Sequence, residues 1–478
     1  MKLKIKIYYI FLCILFTGIS CKKELETAPD TSLQKLSTFL DIKAALGGVY
    51  DGFQSINYYQ CNAASGDPCG WSALPDLMGD DFVESLESLG NWRTMSEMTY
   101  ASDNGTVGAI FFQPYEIASR ANNILQSLAQ YETGDTEAEA KRIKAQVLAI
   151  RGHVHFDLLR YFGQNFERNS DLLGVPYVKV FDPLNPLKNL PTRATVKSNY
   201  DEILADLNES LINFRLADDN PDNEARIYID SITVHAMMAR INYYASQWND
   251  VITHTSIALQ ARYLTDADGY AAMFTTATEP TPVDEIYWAI PSDGTFRPGR
   301  ATNGPDPNYR LSVEMSNKIL ALGGAYTARS VTRFDQLGFG EFNRTLAWKY
   351  PGIRSFKVFR AGEMMLMRAE AKQRINDPSA LDDLNALRTN RDVATGSETG
   401  EALLTAIQEL RRVELLGEGH RWFDLKRTTR TINRVECGTD NASTSNICTV
   451  APGSRSWVFP IPFNDIRVNP NLTQNAGY

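Results

Sequence analysis

Apolar positions along the chain come in bursts that step by three and four, separated by polar, glycine-rich stretches. From Ser37 onward, "STFLDIKAALGGVYDGFQ" sets Phe39, Ile42, Ala45, Leu46 and Val49 on one face and predicts a helix. In 112–131, Ala118, Ala121, Leu125 and Leu128 recur at the same spacing. In 137–162, Ile143, Val147, Ile150, Val154, Leu158 and Tyr161 continue it. These two segments are expected to pack as an antiparallel hairpin. "SNYDEILADLNESLINF" (198–214) predicts another helix, with Ser198 as its cap. A second hairpin spans 230–261 and turns near Gln247, where Ala236, Ala239 and Ala245 allow close helix contact. Residues 359–375 and 378–391 form a third pair.

The pairs resemble degenerate tetratricopeptide units of two helices each. The expected fold is therefore mainly α. A scaffold of tetratricopeptide-like hairpins covers about 110–261 and 355–430, with long irregular insertions at about 57–108 and 262–350.

The first twenty residues fall outside that pattern. Lys2, Lys4 and Lys6 precede an apolar run from Ile7 to Phe16, then Thr17, Gly18 and Ser20 lead to Cys21. The run is too short to span a bilayer and reads as a secretory signal. A cysteine straight after small residues resembles a bacterial lipoprotein signal, which would acylate Cys21; an ordinary signal cut nearby is the alternative. The expected organisation is a signal at 1–20, an acylated cysteine and polar tether at 21–36, and a single body at 37–478.

Four further cysteines, Cys61, Cys69, Cys437 and Cys448, lie in two local pairs inside polar loops. In an oxidising compartment the simplest connectivity is Cys61–Cys69 and Cys437–Cys448. The spacing and the lack of nearby histidine argue against zinc.

A net charge of −9 argues against a nucleic-acid binder, which needs a clustered basic excess. The chain has no G-x-S-x-G, no phosphate loop and no H-E-x-x-H. His153 and His155 are two apart on a helix and cannot share a metal; His235, His254 and His420 read as structural. Met364, Met365 and Met367 read as core filling. Asp80, Asp81, Glu84 and Glu87 could suggest a glycosidase pair. Contacts to ligand hydroxyls or amines, or to a structural calcium ion, fit them better, and no cofactor is expected.

The most specific stretch is "RRVELLGEGHRWFDLKRT" (411–428). Arg411, Arg412, Glu414, Leu415, Glu418, Gly419, Arg421, Phe423, Asp424, Leu425 and Arg427 resemble the signature of the SusD/RagB outer-membrane nutrient-binding lipoproteins of Bacteroidetes. The ending "FPIPFNDIRVNPNLTQNAGY" resembles that family's ending, and 190–211 and 359–375 match two more of its blocks. The resemblance implies a non-enzymatic, lipid-anchored protein on the outer face of the outer membrane. It would capture an oligosaccharide, or alternatively an oligopeptide, as the lid of a SusC-like TonB-dependent barrel. A surface glycosidase and a protein-only adaptor are the competing classes.

Ligand contacts are expected in the two irregular regions, at Trp71, Asp80, Asp81, Trp92, Arg93, Tyr309 and Arg310. Core burial is the competing reading for each tryptophan. Trp248, Trp288, Trp422 and Trp457 are expected in the core. The signature helix is expected to end at a glycine, with Trp422 and Phe423 plugging the core behind it. Glu414, Glu418, Arg421, Asp424 and Arg427 would tie neighbouring segments together.

Overall fold

The computed structural model describes residues 36–60, 69–85, 88, 90, 92–185, 187–188, 190–218, 226–275, 285–291, 309–334, 345–350, 355–437 and 447–478. Helix α1 (Phe39–Asp51) opens with a capping box. The Thr38 side chain accepts the Asp41 N–H at 3.1 Å, and the Asp41 carboxylate accepts the Thr38 N–H at 2.8 Å. Helix α2 (Gly105–Leu128) starts well before the expected residue 112, and Asn104 caps it by accepting the Val107 N–H at 3.1 Å. Gly105, Gly108 and Pro114 weaken the local helix signal, but burial of Val107, Ile110 and Phe111 decides the outcome.

Helix α3 (Glu137–Phe162) packs against α2 and against α4 (Val196–Leu216). The α4 cap is Thr195, whose hydroxyl accepts the Ser198 N–H at 3.1 Å, so Ser198 lies inside the helix. Helices α5 (Ser231–Tyr244) and α6 (Trp248–Ala261) form the second hairpin and turn where expected. Asp230 caps α5 and accepts the Thr233 N–H at 2.8 Å.

The two regions read as irregular carry structure of their own. Strand β1 (Phe82–Glu84) comes from the first and β3 (Tyr309–Leu311) from the second. They pair antiparallel, with Phe82 opposite Leu311 and Glu84 opposite Tyr309. The second region also contributes β2 (Ile286–Ile290), which pairs with β4 (Phe356–Arg360), and helix α7 (Val313–Leu322). Helix α8 (Ala361–Arg374) packs on α6, α9 (Ala380–Asn390) and α10 (Gly400–Glu414).

The signature does not end its helix at a glycine: α10 stops at Glu414, with Leu415 as the cap. Gly417 and Gly419 follow with φ of +78° each. A Cβ on Gly419 would collide with the Trp71 carbonyl oxygen, so only glycine lets the turn press against that segment. Helix α11 (Arg421–Arg427) then begins.

The core is strongly aromatic. Tyr58, Tyr161, Trp288, Trp422 and Phe423 are all fully buried, and Met364, Met365 and Met367 fill space beside α6. Trp457 is buried, whereas Trp248 is half-buried at the start of α6, 6.1 Å from the Tyr243 ring. A disulfide joins Cys437 to Cys448 as expected. Cys69 is disulfide-bonded, and Cys61 lies outside the described residues. Among the described residues no helix is long and apolar enough to cross a membrane.

Candidate functional site

The signature stretch builds a buried charge network. The Glu418 carboxylate takes two parallel bonds from Arg360, and Lys349 Nζ donates to its Oε1 at 2.7 Å. Glu414 meets both Arg360 and Arg391, and the Tyr326 hydroxyl donates to its Oε2 at 2.6 Å. Glu285, beside β2, receives Arg360 at 3.0 Å and Arg391 at 2.8 Å. Three carboxylates thus face three cations with almost no solvent exposure. Burial alone would raise the Glu418 carboxyl, but Arg360 and Lys349 hold it below its ordinary value.

A second network fixes the first irregular region to the same stretch. Arg421 grips Asp80 with two bonds, Nε to Oδ1 at 2.6 Å and Nη2 to Oδ2 at 3.0 Å. Arg412 donates to Asp81 and to Glu314, the latter at 2.7 Å. Asp76 accepts the backbone N–H groups of Gly419, His420 and Arg421 at 2.9–3.0 Å and so anchors the start of α11. Asp80 and Asp81 are thus engaged in largely buried ion pairs within the protein instead of facing a ligand, against the expected role. Glu87 lies outside the described residues.

The remaining predicted contacts split. Trp92, Arg93, Tyr309 and Arg310 come together around the β1–β3 pairing. The Trp92 and Tyr309 ring centroids are 6.1 Å apart, and the Tyr309 hydroxyl donates to Ser96 Oγ at 3.0 Å. Arg310 pairs with Glu436 at 3.0 Å. Trp92 is only 2% exposed and offers no ring face. Trp71 is also 2% exposed, edge-on to Tyr58 at 4.4 Å and to Tyr161 at 5.2 Å, apart from the Trp92 group. Both tryptophans are core residues, because rings from α3 and from the preceding loop cover Trp71 and β3 covers Trp92. Arg93 alone keeps substantial exposure, 39% of its side chain, while forking onto Glu84 at 2.9 and 3.1 Å.

Sequence reading missed Phe112. It is 63% exposed and edges an open hollow of about 460 Å³ beside Gln54, Glu116 and Arg120. Phe111 and Phe112 are adjacent on one helix, but that spacing does not tell which is exposed or whether either is, since the adjacent Trp422 and Phe423 are both buried. Also missed was the pair formed by His235 and His254, whose Nδ1 atoms lie 2.9 Å apart across the α5–α6 hairpin. Among the described residues no cluster of three or more His, Cys, Asp or Glu side chains could hold a metal ion.

This architecture, a helical scaffold clamped by the signature stretch, matches known proteins along the whole chain. Residues 353–478 match a family described as the SusD family, and residues 25–253 match one described as starch-binding associating with outer membrane. The chain belongs to the SusD/RagB family. A SusD-like protein from Formosa agariphila is 22% identical over 530 residues, covering 98% of each chain. The structure of a SusD superfamily protein from Bacteroides thetaiotaomicron superposes with a TM-score of 0.76 at 20% identity, covering 92% of this chain and 100% of that one. A SusD-like carbohydrate binding protein from Bacteroides vulgatus superposes at 0.73 and 20% identity, covering 90% and 96%.

Proposed function

We propose that this protein is an outer-membrane surface lipoprotein, anchored through Cys21, that captures an oligomeric nutrient and passes it to a SusC-like TonB-dependent barrel as its lid. The observation that carries this reading is the match of residues 25–253 to a family described as starch-binding and associated with the outer membrane. Glycan is the favoured ligand class. Phe112, exposed beside amide and charged side chains, supports it as a surface on which a sugar ring can stack. Arg93, exposed at the β1–β3 pairing, is the second contact we put forward. The role is binding, with no bond broken.

Oligopeptide capture is the second reading, favoured by one observation: burial of Trp71 and Trp92 removes the expected flat aromatic platform. Calorimetry of the purified protein against a glycan panel and a peptide digest decides between them. Glycan binding that weakens in Phe112→Ala supports the first reading, and binding of peptides alone replaces it with the second. Cys21→Ala should release the protein from the membrane fraction, and retention there would contradict the lipid anchor.

A further inference from the structure

A separate cleft of about 320 Å³ lies where the C-terminal end of α3, the α5–α6 turn, the end of α11 and residues 452–458 meet. Phe166, Tyr244 and Trp457, all buried, line its apolar side. Lys426 and Arg430 also line it. Lys426 Nζ donates to the carbonyl oxygens of Arg160 at 2.7 Å and Gly163 at 3.3 Å, so one of its three hydrogens stays unused. Arg430 donates through Nε to Thr428 Oγ1 at 3.0 Å, and neither of its Nη groups makes a hydrogen bond among the described residues.

Neither cation stands in an ion pair among the described residues. Arg193 and Arg434, both buried, likewise meet only carbonyl or amide oxygens, but most buried arginines of this chain have a carboxylate. Arg360, Arg391, Arg411, Arg412, Arg421 and Arg427 each meet a carboxylate, and the net charge is −9. Two further residues lining the cleft carry unsatisfied atoms: Asn165 Oδ1 and Ser454 Oγ are buried without a hydrogen-bond partner. Burial also drives the Lys426 amine well below its ordinary value, a shift that a bound anion would reverse.

We propose that this cleft binds an acidic saccharide unit, a pyranose carrying a carboxylate. The sugar's hydroxyls reach Asn165 and Ser454, and its carboxylate lies between Arg430 and Lys426. The site is distinct from the surfaces around Phe112 and Arg93, and it rests on the carbohydrate reading above.

The test is calorimetry of the purified full chain in detergent with uronate oligosaccharides and with their methyl esters, which keep the sugar and remove the charge. The acid form should bind about tenfold tighter than the ester at low salt, the scale of one charge-assisted hydrogen bond. Arg430→Gln should collapse that ratio, whereas Asn165→Ala should weaken acid and ester alike, each variant checked by circular dichroism for an unchanged fold. Acid and ester bound alike, a ratio unchanged in Arg430→Gln, or saccharide binding unchanged in Asn165→Ala overturns the proposal. Binding of neutral glycans with no binding of uronates overturns it alone, whereas no saccharide bound at all overturns the carbohydrate reading as well.

Discussion

Arg360 holds Glu418 through two parallel hydrogen bonds, Nε to Oε2 at 2.7 Å and Nη2 to Oε1 at 2.9 Å, and neither side chain reaches solvent. The pair joins the end of β4 to the turn after α10. Glu418→Gln would strip the charge that both Arg360 and Lys349 face. Leaving buried cations without their counter-charge costs about 3–5 kcal/mol. Arg360→Lys keeps a charge but not the planar fork and should cost less. Urea denaturation measures both, and a Glu418→Gln midpoint equal to the parent's would deny the network its role.

Acid should destabilise the fold in two stages. Burial lowers His153 and His155 to about 4 from an ordinary 6.5. His155 is held neutral by geometry: its Nε2 accepts the Val178 N–H at 3.0 Å, while Nδ1 lies 2.8 Å from the Arg151 carbonyl oxygen. Their folded pKa values are depressed, so their contribution is complete above 6.5 and is lost as pH falls towards 4. For Glu370, burial alone would raise the carboxyl, but Arg427 and the Tyr243 hydroxyl hold it at about 2 from an ordinary 4.5. Its contribution is lost in turn between 4.5 and 2. Denaturation midpoints followed down the pH scale should show both losses, and Glu370→Gln should flatten the second. A stability that stays level from pH 7 to 4 would contradict the histidine assignment.

Trp422 is fully buried, stacked on Tyr161 at 5.5 Å and on Trp457 at 5.8 Å. Trp422→Ala should destabilise the protein by about 3–5 kcal/mol. A variant that melted normally yet lost its ligand would move this ring from the core to the binding surface.

The Cys437–Cys448 bridge closes a loop of sequence separation 11. Beside it, Arg434 donates to the carbonyl oxygens of Met78 at 2.9 Å, Gly79 at 3.0 Å and Ile447 at 2.9 Å. The double variant Cys437→Ser, Cys448→Ser should lose roughly 3 kcal/mol in the chain-entropy model. Thermal melts give the value, and an unchanged melt would mean that Arg434 alone holds the loop.

Periodicity revealed long helices that bury a repeating stripe, as Val196, Tyr200, Ile203, Leu207 and Phe214 do in α4, whereas α3 is buried on every side from Ala145 onward. It missed the start of α2, where glycines and a proline mask the pattern. The signature stretch declared its structural role through charge alone: Glu414, Glu418, Arg421, Asp424 and Arg427 all form the ties expected of them. Their partners were not legible. Glu414 meets Arg360 at a sequence separation of 54 and Arg421 meets Asp80 at 341, distances over which no local pattern carries information. The same limit misplaced Trp71 and Trp92. An aromatic ring in a polar loop looks like a ligand platform until the distant segment that covers it is known.

Gly419 and its neighbours also set the order of events during synthesis. Arg360, Arg391 and Lys349 all precede Glu414 and Glu418 in the chain, and Asp76, Asp80 and Asp81 wait for the backbone and guanidinium groups of 412–421. A nascent chain that stops short of residue 414 leaves Arg360 and Arg391 only Glu285 to share, and Lys349 has no carboxylate until Glu418 is made. The early helices can form as they emerge, but the ring of contacts closes only when the penultimate part of the message has been read.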